Sequence, residues 1–212
     1  MNDLLVRILS GVIMIGVALA AAYEGRDFFA LLVAAAATAM LWEWRQLTKG
    51  WGSRWAIGGF VYAAVPAIAL IWIRLIEPDN QWPKLLLWAF IVTWATDIGA
   101  YFVGRAFGRT KLAPAISPGK TVEGLIGGVV AAGLLGGMWV IDQHLGRALL
   151  FAAPVFAVAA QGGDLFESWM KRRASVKDSG TLLPGHGGVL DRLDGLVPVA
   201  VLTALAQLMG LA

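Results

Sequence analysis

Seven apolar runs, near Leu4–Tyr23, Phe28–Trp44, Trp55–Ile76, Leu85–Val103, Leu125–Ile141, Ala148–Gly163 and Leu193–Leu211, occupy most of this 212-residue chain. Most approach the ~20 residues that carry a helix across a ~30 Å hydrocarbon core. Runs such as "LLVAAAATAMLW" (Leu31–Trp42) are apolar all round, whereas the strands of a membrane barrel alternate. The expected fold class is therefore all-α: a polytopic integral membrane helical bundle of about seven transmembrane helices, forming a single domain over residues 1–212. A mean hydropathy of +0.71 and a charged fraction of 15% agree with this. With no cysteine, disulfide frameworks and thiolate metal sites are excluded.

Ala18–Ala20 looks like a cleavage site after an apolar stretch, but the preceding segment pairs Asp3 with a single Arg7 and further spans follow. It reads as a retained first span. Sorting the seventeen Lys and Arg by loop puts thirteen on the odd side, among them Arg7, Arg45, Lys49, Arg54, Arg105, Arg109 and Lys111. The other side holds only Arg26, Arg74, Lys84 and Arg147. The positive-inside rule then places the N-terminus in the cytoplasm and, with seven spans, the C-terminus outside.

Two long cytoplasmic loops punctuate the spans, Gly104–Val122 and Trp169–Arg192. Loops of this length in so apolar a chain imply function. Asp97 lies inside the fourth run, where a carboxylate costs at least ~2.5–3.5 kcal/mol and calls for a cation, water or a proton. Pairing with a cation or metal at the cytoplasmic end of the bundle is the expected state. In "SPGKTVEGLIGG" Pro118 and Gly119 interrupt helix, Thr121 suits an N-cap, and Lys120 sits just ahead of free helix N–H groups. The triplet is weak evidence for a phosphate cradle by itself, since glycine in membrane helices more often serves packing.

Asp164, Glu167 and Ser168 share a helical face, followed by Lys171 and Arg172. In "LPGHGGVLDRLDG" Asp191 and Asp194 stand three apart as the last helix begins. Oxygen donors with scarce histidine favour Mg2+ over zinc, and Mg2+ completes its shell with water and substrate phosphates. The nearby Lys and Arg suit phosphate groups. Asp97 and Asp164 alone would also suit an ion-coupled transporter, but the polar residues gather in two cytoplasmic loops.

The stretch Ser168–Asp194, with Lys171-Arg172, Lys177-Asp178, His186-Gly187-Gly188, Asp191-Arg192 and Asp194, resembles the signature of the phosphatidate cytidylyltransferases. The likeness continues through "ISPGKTVEGLIGG" and "DIGAYFVGR" back to "LWEW" at Leu41–Trp44. It implies a membrane enzyme that takes CTP and phosphatidic acid and yields CDP-diacylglycerol and pyrophosphate with Mg2+; no nucleic acid partner is expected. Carried over by motif, it implies Asp164 and Asp191 as metal ligands, and Asp97 and Asp194 are read as further ligands or anchors. Catalytic roles are expected for Asp164, Asp191, Lys171, Arg172, His186 and Arg192. Substrate contacts are expected from Ser117, Lys120, Thr121, Arg105, Lys111, Ser168, Lys177, Asp178, Gly187 and Gly188. His186 is open to three roles: phosphate contact, proton transfer or fixing the loop. A second, monovalent cation and a homodimer are left open. A related enzyme acting on another lipid with CTP is the nearest alternative. Two departures stand out: many members carry more spans between "LWEW" and "DIGAYF", and Val122 replaces a common Trp.

Overall fold

The computed structural model describes residues 3–79, 81–183 and 185–212, with side chains described from residue 9 onward. The side chains of Asp3 and Arg7, and Pro184 of the polar stretch, lie outside the described residues. In chain order the elements are α1 (Asp3–Glu24), α2 (Arg26–Leu47), α3 (Ser53–Ile76), α4 (Lys84–Phe107), β1 (Lys111–Ala113), β2 (Ser117–Thr121), α5 (Val122–Gln143), α6 (Ala148–Arg173), α7 (Leu190–Leu193) and α8 (Leu196–Leu208).

Five helices, α2 to α6, are long and apolar enough to cross a membrane, while Leu9–Glu24 of α1 and all of α8 form shorter apolar helices. These long apolar helices among the described residues agree with a membrane helical bundle. At 13 residues α8 is about 20 Å long, short of a full hydrocarbon core. The final apolar run breaks into α7 and α8 for a local reason. Pro198 has no N–H to offer the Asp194 carbonyl four residues back, and the Asp194 carboxylate instead takes the Gly195 N–H at 2.7 Å. Asp191 stands in α7, and Asp194 follows it in the break before α8.

The two loops are also shorter than expected. Helix α4 continues to Phe107, and the chain beyond it forms an antiparallel β1–β2 hairpin rather than an irregular loop. Helix α6 continues to Arg173, so the second loop starts at residue 174. The chain divides into two compact units, one made of residues 1–83 with 170–193, the other of residues 84–169 with 194–212.

In the first unit α2 packs against α1, α3 and α7. Trp44 is its pivot: the ring lies over Gly59, where any Cβ would collide with it, and Nε1 donates to the Trp55 carbonyl at 2.7 Å. Tyr62 and Trp55 flank that ring, and Arg173 stands 4.5 Å above the Trp51 ring. At the other end of α3, Arg74 is 1% exposed. It donates to the Ala22 carbonyl at 2.8 Å and meets Asp79, which also pairs with Arg26. One buried guanidinium thus ties the ends of α1 and α3 to the start of α2.

In the second unit α4 and α5 lie in close contact through small residues. A Cβ on Gly127 would strike Val103, one on Gly128 would come 2.7 Å from the Thr96 carbonyl, and one on Gly99 would come 2.6 Å from Ala131. Bare backbone lets these helices approach, the means by which helices associate in lipid. Helix α5 starts where Thr121 caps the Gly124 N–H at 3.0 Å, as the sequence suggested. Glu123 accepts the N–H groups of Arg109 and Thr110 at 3.1 Å each, fastening the turn after α4 to the start of α5.

Gly127→Ala is expected to destabilise the protein by about 2 kcal/mol through overpacking against Val103. Gly133→Ala, whose new methyl would sit in ordinary contact 3.6 Å from Pro154, is expected to be nearly silent. Thermal unfolding in detergent checks the pair.

Candidate functional site

The signature residues fall into two polar clusters, each built within one unit. The cluster of the first unit centres on Asp191, in the single turn of α7. Its side chain is 4% exposed and its oxygens receive four donors. Lys171 Nζ lies 2.7 Å from Oδ1, while Oδ2 accepts from Ser179 N at 2.9 Å, Ser179 Oγ at 2.9 Å and Gly188 N at 2.8 Å. Lys171 is presented by the last turn of α6 and Ser179 by the loop after it.

The chain between Ser179 and Gly188 makes a tight turn. Leu183 N donates to the Gly187 carbonyl at 2.9 Å and His186 N to the Leu183 carbonyl at 2.9 Å. Gly185 and Gly187 take φ of 75° and 82°, the left-handed region that a side chain disfavours. His186 Nδ1 lies 2.8 Å from Ser10 Oγ of α1, and its carbonyl accepts from Arg192 Nε at 3.0 Å. The His186 ring thus reaches α1 through Ser10. Arg172, Lys177, Asp178 and Arg192 are exposed around the turn.

The turn is held from below by a residue for which the sequence suggested no site role. Glu43, in the "LWEW" run of α2, is fully buried and accepts from Val189 N at 3.0 Å and Leu190 N at 2.8 Å, with the Ser179 hydroxyl shared between it, at 3.2 Å, and Asp191. The signal was available: a carboxylate inside an apolar run, the same argument that draws attention to Asp97.

The cluster of the second unit centres on Lys120, at the end of β2. Its Nζ meets Asp164 Oδ2 and Gln161 Oε1, each at 2.6 Å. Gln161 Nε2 donates to Asp97 Oδ1 at 3.3 Å, and Ser168 Oγ to Asp164 Oδ1 at 3.3 Å. Asp97 thus has a polar partner within the membrane helices, and Gln161 is a second residue that its sequence context did not single out. Thr121 spends its hydroxyl oxygen on the helix cap, Lys111 donates to the Pro118 carbonyl at 2.8 Å inside the hairpin, and Arg105 donates to the Tyr101 hydroxyl at 2.8 Å. Ser117 opens β2 and is half-buried. Asp194 lies in this unit, its carboxylate on the Gly195 N–H.

Among the described residues no group of three or more His, Asp or Glu stands together as a ready cage for a metal. The donor chemistry still suits Mg2+, which takes one or two carboxylates and draws the rest of its shell from water and phosphate. Asp164 fits best, since its side chain is 31% exposed and, among the described residues, Oδ1 holds a long hydroxyl contact. For Asp191, Oδ1 meets Lys171 and Oδ2 faces Ser179 and Gly188, so a cation would share Oδ1 with Lys171 or take its place. Each carboxylate rests against an ammonium group, Asp164 against Lys120 and Asp191 against Lys171.

Similarity to known proteins bears on these clusters. The sequence pattern described as the Cytidylyltransferase family matches residues 47–209. A Brucella suis protein named phosphatidate cytidylyltransferase is 44% identical over 177 residues, covering 82% of this chain and 63% of that protein. One of the same name from Rickettsia bellii is 36% identical over 208 residues, 94% of this chain and 88% of that one, and one from Haemophilus influenzae is 48% identical over 120 residues, 53% and 41%. The chain spans less than two thirds of the length of the Brucella relative.

The two Lys–Asp pairs differ in burial, and their energetics should differ accordingly. Lys171→Met leaves Asp191 buried without its cation and is expected to cost about 3 kcal/mol of stability. Lys120→Met is expected to cost under ~1 kcal/mol, because Asp164 reaches solvent. Denaturation of both variants in the same detergent gives the comparison.

Proposed function

Because this integral membrane protein belongs to the cytidylyltransferase family, we propose that it transfers the CMP moiety of CTP to phosphatidic acid, releasing CDP-diacylglycerol and pyrophosphate in phospholipid synthesis. The observation that carries this reading is the pair of Lys–Asp contacts, Lys120–Asp164 and Lys171–Asp191, set in the segments that the family pattern covers. In each contact Lys120 or Lys171 is placed to take a substrate phosphate, and the carboxylate, Asp164 or Asp191, to hold Mg2+.

In this scheme a phosphate oxygen of the lipid attacks the α-phosphorus of CTP, a new P–O–P linkage forms, and the bond to the β-phosphate breaks as pyrophosphate leaves. No protein nucleophile is required. Lys120 and Lys171 neutralise phosphate oxygens, and the exposed Arg172, Lys177 and Arg192 draw anionic headgroup and nucleotide to the surface. Asp164 and Asp191 are the proposed Mg2+ ligands, with Asp97 and Asp194 as supporting acids. When bound, Mg2+ supplies charge neutralisation to the phosphates. Lys111, Arg105, Ser117 and Thr121 shape the hairpin beside Lys120; Ser168 and Asp178 flank the two acids. The turn built on Gly187 and Gly188 holds the Asp191 amide donors, and His186 fixes that turn to α1. The charge asymmetry of the loops supports a cytoplasmic N-terminus in the bacterial inner membrane, with the C-terminus outside.

The test is formation of labelled CDP-diacylglycerol from labelled CTP and phosphatidic acid by purified protein in liposomes, with and without Mg2+. Product that requires Mg2+ and falls at least ~10³-fold in Asp164→Asn is expected, the scale of losing a principal electrostatic group. Folded protein that binds CTP yet makes no product from phosphatidic acid would move the reading to another lipid acceptor.

A further inference from the structure

Glu43 is a carboxylate with no exposed surface, on a helix long and apolar enough to span the membrane. Placing it there costs at least ~2.5–3.5 kcal/mol on insertion scales. Its hydrogen bonds show where that cost is recovered. Oε1 accepts from Val189 N at 3.0 Å, and Oε2 from Leu190 N at 2.8 Å and Ser179 Oγ at 3.2 Å. All three donors lie in the segment 179–190, far from α2 in sequence. Ser179 then hands the connection on: its N–H donates to Asp191 Oδ2, and its hydroxyl shares one proton between Asp191 Oδ2 at 2.9 Å and Glu43 Oε2 at 3.2 Å, while the other Asp191 oxygen meets Lys171.

The glycines of that segment answer to the same carboxylate. A Cβ on Gly188 would come 2.6 Å from Glu43 Oε2 and would also strike Ser179 Oγ, and one on Gly180 would come 2.5 Å from Glu43 Oε1. Neither glycine has a left-handed φ, so the bareness of the chain at these two points serves approach to Glu43 rather than the shape of the turn.

We propose that Glu43 is a positioning residue for the transfer reaction, acting through Ser179 and the Val189–Leu190 amides to hold Asp191 and Lys171 in their working arrangement. This rests on the function proposed above. A carboxylate offers two acceptor oxygens, one for each backbone amide, whereas an amide side chain offers one and brings donors of its own. Glu43→Gln therefore leaves at least one N–H of the pair unmet, and Glu43→Ala leaves both.

The experiment joins two readouts on the full chain in nanodiscs: hydrogen exchange of the segment 179–193, and steady-state kinetics per folded molecule with CTP and phosphatidic acid. Glu43→Gln is expected to keep its fold, to exchange the Val189 and Leu190 amides about tenfold faster, and to lose about tenfold in kcat. Glu43→Ala should lose about 100-fold. Ser179→Ala keeps the backbone amides on Glu43 and removes the hydroxyl link, so its kcat should fall while the two amides stay protected. The double variant Glu43→Gln, Ser179→Ala should lose less than the product of the single losses, since both act through Asp191. A residue that served only stability would lower the unfolding temperature and leave kcat per folded molecule unchanged, and that result would overturn the proposal. Unchanged exchange at Val189 and Leu190 in Glu43→Gln would also overturn it. If wild-type protein makes no CDP-diacylglycerol, the transfer reading fails by itself, while the exchange data still decide whether Glu43 holds the turn.

Discussion

A carboxylate shut away from water must be given donors, and Asp191 is given four. That requirement organises the first unit. Lys171 has to end α6, Ser179 has to come soon after that helix stops, and Gly188 has to bring its N–H within reach just before α7. Two glycines in left-handed conformation shape the turn that makes this possible, and Glu43 supports it from α2. The second unit repeats the logic with more exposure: Lys120 bridges Asp164 and Gln161, and Gln161 reaches Asp97. In both units an ammonium group holds an acid whose charge would otherwise be costly near hydrocarbon.

The scaffold around these clusters follows from the absence of a hydrophobic driving force between helices in lipid. Close α4–α5 contact comes from glycine backbone, which brings Thr121 and the hairpin to the α4 terminus with Lys120 at its end. In the first unit the same problem is met by aromatic stacking on Trp44 and by the buried Arg74. The family pattern covers most of both clusters, which combine acids, lysines and a glycine-rich turn.

Much of this was legible in the sequence. Apolar runs located every long helix, because spans need continuous hydrophobic length. Thr121 was readable as a cap because its neighbours stop and start helix on either side. The signature spacing singled out Asp191, Lys171 and the glycines. Three features were not readable. The break between α7 and α8 depends on Pro198 falling four residues after Asp194, a local detail inside an apolar run. The β1–β2 hairpin has strands of three and five residues, too short for an alternating pattern to emerge. Glu43 and Gln161 act on partners more than forty residues away, or in the case of Glu43 more than one hundred and thirty, and no spacing rule connects them. Their signal was chemical instead, a polar group where the sequence is otherwise oil.

In the proposed reaction the two lysines exchange a carboxylate for phosphate when nucleotide arrives. The most direct measurement is the ¹⁵N spectrum of the lysine side chains in nanodiscs, with Lys120 and Lys171 assigned by substitution, as CTP and Mg2+ are added together. The account predicts that both resonances shift and saturate together with CTP binding, while exposed lysines such as Lys49 stay where they were. Resonances of Lys120 and Lys171 that remain fixed at saturating CTP and Mg2+ would contradict it.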